Sequence, residues 1–289
     1  MTFKIVTDST ADLPQEYIEK ENLTVLGMTI TINGKAFETV GEKAITTPEL
    51  LKKMAKGAEV SSSAIGSGEL EEIFKKLSAD GSEVLYLAFS SGLSGTYQSA
   101  VIARDMVLEE KPEAKITIID TLAAASGEGY LVEEAVRLRN SGAPLQETVE
   151  ILSALTKRLR SWFVVPDLNH LARGGRIPKA TALLGTLASV KPILDVDAEG
   201  QLRQVSKVRG NKKANAAIVT ETLSDFDDDY PHIIIAHSDA EETAQQMKEE
   251  FLSAKPQLTV DIRPLGPVIA VHTGAGTIAI FSMGTKDRH

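Results

Sequence analysis

The chain has 289 residues, 43% of them apolar and 25% charged, with a formal net charge of −9 and no cysteine. That length suits one large or two medium domains, and the acidic balance speaks against a nucleic-acid or anionic-membrane partner, each of which needs a net basic face. Without cysteine, disulfides, thiolate catalysis and cysteine-ligated metals are excluded.

The N-terminus, "MTFKIVTDSTADLP", enters a strand pattern with no apolar leader, so a cytoplasmic location is expected. No apolar run approaches the ~20 residues that span a bilayer, and no integral membrane segment is expected. Strand patterns at 3–7, 23–28, 83–89 and 115–120 alternate with helix patterns near 14–21, 47–57, 68–79, 95–109 and 126–140. Such alternation predicts a largely parallel sheet covered by helices. "MTITINGKAFE" breaks the series with period-2 alternation about Asn33-Gly34, a hairpin near 28–39. Thr47 is placed as a helix cap before Pro48, while Gly142 and Pro144 end one helix and permit another.

The second half runs "SWFVV", a Gly/Arg loop, a hairpin about Ala198-Glu199-Gly200, a helix, "HIIIAH", a helix, "LTVDIRPL" and "TIAIFSM". This pattern predicts a mixed sheet with helices. The expected fold class is therefore α/β with two domains, 1–159 with a mainly parallel sheet and 160–289 with a mixed one.

The segment "FSSGLSGTYQSA" follows a strand and opens a helix, where open α/β sheets bind ligands. Amide groups of Gly95 and Thr96 at the helix start, with the hydroxyls of Ser91 and Ser94, suit an anion. Capping of the helix by Ser94 is the equal alternative. The nucleophile elbow G-x-S-x-G is missed by one position, and neither phosphate-loop signature is present. A serine nucleophile at Ser94 with His272 or His237 as base is the enzymatic reading.

Elsewhere, Asp12 or Thr10 is expected to cap the helix near Pro14, with a catalytic Asp8 as the minority reading. "VSSSAIGSGELEEIF" reads as a second serine loop, with Ser67 the cap; two such loops at one sheet edge can converge on one anion. "HLARGGRIP" offers Arg173 and Arg176 for a carboxylate, a phosphate or a surface salt bridge. "KATALLGTLASVKPIL" reads as an apolar helix, "SKVRGNKKA" as a basic patch, and "GPVIAVHTGAG" as a strand ending at His272. No His or carboxylate spacing suits a metal.

Six of these stretches, "VTDSTADLP", "FSSGLSGTYQSA", "IDTLAAASGEGYLVEEA", "LARGGRI", "VKPILDVDAEGQLRQVSKVRGNKKA" and "GPVIAVHTGAG", resemble the DegV family in order and spacing across nearly the entire chain. The resemblance implies a buried tunnel between two α/β domains holding a long-chain fatty acid, for example C16–C18. It implies a carrier with no catalytic residue and no cofactor, which presents its ligand to a separate ATP-binding fatty acid kinase subunit. The implied carboxylate ligands are Ser94 with Gly95, Ser62 and a nearby His272. Arg173, Arg176 and the 203–213 basic stretch are implied at the mouth, facing the kinase. Ala64, Ile65 and Ala275 depart from the family's usual residues, which bears on loop shape and chain preference. A serine-dependent acyl hydrolase or transferase and a lipid-sensing interaction module are the alternatives.

Overall fold

The computed structural model describes residues 3–183 and 190–289. The first half contains β1 (Lys4–Asp8), α1 (Gln15–Lys20), β2 (Thr24–Leu26), β3 (Thr29–Ile32), β4 (Lys35–Phe37), α2 (Thr47–Ala55), β5 (Val60–Ser63), α3 (Ser67–Leu77), β6 (Val84–Ala88), α4 (Thr96–Glu110), β7 (Ile116–Asp120), α5 (Ser126–Asn140) and α6 (Leu145–Arg158). There follow β8 (Leu159–Val164), α7 (Asn169–Arg173), α8 (Lys179–Leu183), β9 (Val190–Val196), β10 (Leu202–Arg209), α9 (Asn211–Ser224), β11 (His232–Ser238), α10 (Glu241–Ala254), β12 (Thr259–Pro264), α11 (Pro267–Thr273) and β13 (Thr277–Met283). Among the described residues no helix is long and apolar enough to cross a membrane.

Four parallel strands form the first sheet in the order β2-β1-β6-β7. Every residue of β6 is buried, as a strand covered by helices on both faces requires. The second sheet, β10-β9-β8-β13-β11-β12, is antiparallel except where β11 lies beside β12. The α/β class, with one parallel and one mixed sheet, is the one expected.

Both sheets pack on α5, whose first seven residues are all buried. A single apolar cluster runs through it from Leu85 and Leu87 of the first sheet to Phe163 and Phe281 of the second. Glycines permit this double contact: Gly127 lies against the Phe281 ring and Gly129 against the carbonyl oxygen of Ala11.

The hairpin at Asn33-Gly34 forms as expected, with φ of 49° and 78° giving two left-handed residues between β3 and β4. The second serine loop is a strand for half its length. β5 pairs Ser62 with Ile30 and Ser61 with Thr31, because β3 has an open edge and a lone hairpin is marginal. A run of serines carries no apolar alternation to announce it.

Three helix starts differ from expectation. Thr46, one residue earlier than expected, caps α2 in a reciprocal box with Glu49. Gly66 precedes α3, so Ser67 is its first residue rather than its cap. Pro14 precedes α1, and neither Thr10 nor Asp12 caps it. Asp12 instead turns toward Gly266 at the start of α11; burial, then the nearby Asp8, pushes its carboxyl up to about 8, with the Gly266 N–H opposing. The strand expected to end at His272 is the helix α11, opened by Pro267 at its first turn. Four apolar residues in a row do not tell strand from helix by periodicity. Of the apolar helix expected after Ile177, Lys179–Leu183 is helical, and 184–189 lie outside the described residues.

Candidate functional site

The loop after β6 is held from three directions. Asp120 at the end of β7 accepts from the Ser91 N–H at 3.1 Å, and Asp8 at the end of β1 accepts from the Phe89 N–H at 3.2 Å. From the second sheet, the β9–β10 turn offers Gly200 O to the Ser90 hydroxyl at 2.8 Å. Gly92 is needed here, since a Cβ would stand 2.8 Å from both Glu199 O and Gly200 O. The loop is thereby a rigid bridge between the two sheets.

At its end, Ser94 Oγ accepts from the Thr96 N–H at 3.2 Å and lies 3.0 Å from Thr96 Oγ1. It occupies one of the amides expected for an anion, while the cap position of α4 is Gly95 rather than the expected Ser94. Thr96 Oγ1 in turn accepts from Ile65 N–H at 3.4 Å, tying the segment after β5 to the start of α4. That contact brings the two serine-rich stretches together.

His272 completes the group from α11. Its Nε2 lies 2.8 Å from Ser62 Oγ. Its Nδ1 lies against Gly174, where a Cβ would collide with the ring. Burial first, then the charges of Arg176 and His170, lowers the imidazole to about 4, so the ring is neutral at physiological pH.

This shift has a measurable sign. Unfolded His272 takes up a proton near its ordinary 6.5, and the folded ring refuses it until about 4. The associated stability is full above about pH 6.5 and is lost as pH falls toward 4, about 3 kcal/mol in all. Urea unfolding at pH 7.5 and 4.5 should therefore show a smaller loss on acidification for His272→Gln than for the parent chain.

Ser62, Ser94, Gly95, His272 and Arg176 line one cavity with Met28, Phe89, Leu93, Phe163, Val268 and Phe281. It encloses about 870 Å³ of space between atoms, including its open end. It is a slot, apolar along most of its wall, with donors clustered where α4 starts and α11 ends.

Four of the five expected site residues meet there; Arg173 does not. Its guanidinium is exposed and pairs with His170 Nδ1 at 2.8 Å. The cation at the slot is Arg176, which donates to Leu93 O at 3.2 Å and Gly174 O at 2.5 Å. His237 lies on β11, accepting from the Ala240 N–H at 3.3 Å, and is not in the slot wall. Among the described residues no cluster of His, Asp or Glu suits a metal ion.

Behind the loop lies a buried polar group that joins Asp8, offered above as a minority catalytic carboxylate, and Thr10, offered as a helix cap, to Tyr86 and Glu128. Asp8 Oδ2 accepts from Tyr86 OH at 3.1 Å as well as from Phe89 N–H, and Oδ1 accepts from the N–H and the hydroxyl of Thr10. Glu128 of α5 meets Thr7 Oγ1 and Thr10 Oγ1, each at 2.7 Å. Asp8, Thr10, Tyr86 and Glu128 are all fully buried. Thr10 has one hydroxyl proton and two carboxyl neighbours. Since Asp8 already collects four donors, the proton count makes Asp8 the anion and Glu128 a neutral acid donating to Thr10. Burial raises both carboxyls, but at Asp8 the bonds from Thr10, Phe89 and Tyr86 oppose it, whereas the charge of Asp8 adds to it at Glu128, which is held well above the usual carboxyl range. For Glu128 the sequence signal was an acidic residue between two glycines at a helix start.

Comparisons with known proteins agree over the whole length. A family model described as "Uncharacterised protein, DegV family" matches residues 2–285. The DegV domain-containing protein YteA of Lactococcus lactis is 59% identical over 288 residues, covering 100% of both chains. A DegV family protein from Thermus thermophilus, described for its fatty acid binding, superposes with a TM-score of 0.87 at 30% identity, covering 98% of this chain and 100% of that one. A stearic acid-binding protein from Eubacterium ventriosum gives 0.88 at 25% identity, with 98% of each chain covered. With a family model and a close relative both matched from end to end, the chain belongs to the DegV family.

Proposed function

We propose that this protein holds one long-chain fatty acid, of the C16–C18 class, in the slot as in a tunnel between an N-terminal domain (1–159) and a C-terminal domain (160–289). It then presents the carboxylate to a separate ATP-dependent fatty acid kinase in the cytoplasm. The observation that carries the reading is the convergence of Ser62, Ser94 and His272 at one end of an otherwise apolar slot. The fatty acid binding described for the Thermus relative and the stearic acid named for the Eubacterium relative support it, and the kinase step rests on the motif resemblance.

The chemistry divides between tail and head. Burying ~15 methylenes at ~0.8 kcal/mol each gives about 12 kcal/mol of gross driving force, before the cost of immobilisation. Hydroxyls and the Gly95 region offset desolvation of the carboxylate and decide which end faces out.

A hydrolase is the weaker reading. His272 meets Ser62 rather than Ser94, backbone lies at its Nδ1 where an orienting carboxylate belongs, and an imidazole held near 4 is a poor base at neutral pH.

Extraction of the purified protein, before and after incubation with fatty acids, followed by mass spectrometry, tests the proposal; absence of any C14–C18 acid would sink it. Ser94→Ala should weaken binding of stearic acid by about 10- to 100-fold, the loss of one hydrogen bond to a charged group. Arg173→Ala should leave stearic acid binding within about twofold, because the side chain is exposed and outside the slot wall, while kinase-dependent acyl phosphate formation falls. Equal loss of lipid from both variants would contradict this division.

A further inference from the structure

The wall of the slot contains a hydroxyl that a plain hydrocarbon tail leaves without a partner. Ser161 of β8 is 3% exposed, lines the slot, and its Oγ has no hydrogen-bond partner. The other polar side chains of the wall, among the described residues, are engaged. Thr273 donates to Ile269 O at 3.1 Å, and Thr277 lies 3.1 Å from Thr273 O and 3.0 Å from Gly274 O. Ser62, Ser94, Arg176 and His272 belong to the head-group cluster described above.

The surroundings of Ser161 are those of an acyl tail. Its cross-strand neighbour is Phe281, and Phe163, two residues along, faces Ala279; all three line the slot. Alanine would fill the same space without an unpaired hydroxyl, whose burial is unfavourable unless something in the slot bonds to it.

Register gives the position of that bond. Thr277, Ala279 and Phe281 all line the slot, so it follows β13. Thr277 marks the head-group end, through its bond to Thr273 beside His272. Phe281 and its partner Ser161 lie four residues farther along, about 13 Å in an extended strand. With carbon–carbon bonds near 1.5 Å, an extended chain advances roughly 1.25 Å per carbon, which places Ser161 near the tenth carbon.

We propose that the slot is built for a long-chain fatty acid bearing an oxygen near mid-chain, a hydroxy or oxo acid, with Ser161 as the residue that recognises it. This rests on the fatty-acid reading above and adds the class of acyl chain.

The test uses delipidated full-length protein and two ligands, octadecanoic acid and 10-hydroxyoctadecanoic acid, whose dissociation constants are measured for the parent chain and for Ser161→Ala. The parent should bind the hydroxy acid at least as tightly as octadecanoic acid. In Ser161→Ala the ratio of the two affinities should shift by about tenfold toward octadecanoic acid, through weaker binding of the hydroxy acid and through release of the cost of burying an unpaired hydroxyl against the plain tail. Ser161→Val, which also excludes a water from the site, should shift it the same way. An unchanged ratio of affinities across the three proteins would overturn the proposal while leaving the fatty-acid reading in place, as would a parent chain that rejects the hydroxy acid as strongly as the variants. Failure of both acids to bind the parent would overturn the fatty-acid reading itself.

Discussion

Asp8→Asn should destabilise this protein by about 3 kcal/mol or more, while Glu128→Gln, a few ångströms away, should change stability by less than about 1 kcal/mol. The two carboxyls are equally buried, so burial does not separate them. Asp8 accepts four hydrogen bonds, two at each oxygen. An asparagine has one oxygen, and its amide group would face donors that are left without an acceptor. Glu128, as the neutral acid, accepts from Thr7 and donates to Thr10, which a glutamine amide reproduces with its oxygen and its NH₂. Urea unfolding of both variants at pH 7 measures the contrast. A Glu128→Gln cost matching that of Asp8→Asn would place the proton on the wrong residue. Because Asp8 also holds Phe89 N–H at the head of the Ser90–Gly95 loop, Asp8→Asn should weaken fatty-acid retention too.

Gly129→Ala should destabilise by about 3 kcal/mol, against the sign that helix propensity assigns to it. Alanine is the better helix former by about 1 kcal/mol, and an exposed helical glycine should gain by the exchange. At Gly129, however, the new Cβ would press into the carbonyl oxygen of Ala11, with Leu13 close behind. Neither can yield cheaply, because β1 and the segment after it are fixed by the Asp8 cluster on one side and α5 by the second sheet on the other. Gly68 of α3 supplies the control: nothing lies within 4 Å of its Cβ position, and Gly68→Ala should stabilise by up to about 1 kcal/mol. Thermal unfolding of the pair decides the matter, with a loss for Gly129→Ala no larger than about 1 kcal/mol counting against a rigid α5–β1 contact.

Local pattern carried far in this chain where periodicity is strong. Alternating strands and helices announced the parallel sheet, and Asn33-Gly34 announced its hairpin through a backbone preference that needs no tertiary partner. The boundary slipped by a residue at Thr46 because Thr46 and Thr47 compete for the same cap, and at Gly66 because α3 starts without a side-chain cap. The strand at Ser61–Ser63 and the helix at His272 were illegible for another reason. Three serines and a four-residue apolar run have no period of their own, and only the open edge of β3 and the seat of α11 decide their form.

The same division holds at the site. By residue type and motif order the sequence alone marked Ser62, Ser94, Gly95 and His272 and the family to which they belong. Which arginine faces the slot was decided by the turn at Gly174-Gly175, which brings Arg176 in and leaves Arg173 outside. Glu128's proton and the unpartnered hydroxyl that Ser161 turns to the slot were likewise decided by tertiary structure, since each depends on donors and acceptors supplied from strands and helices distant in the chain. Sequence motifs fix which groups are present; whether a buried group is charged, paired or waiting for a ligand is a matter of what the fold places within about 3 Å of it.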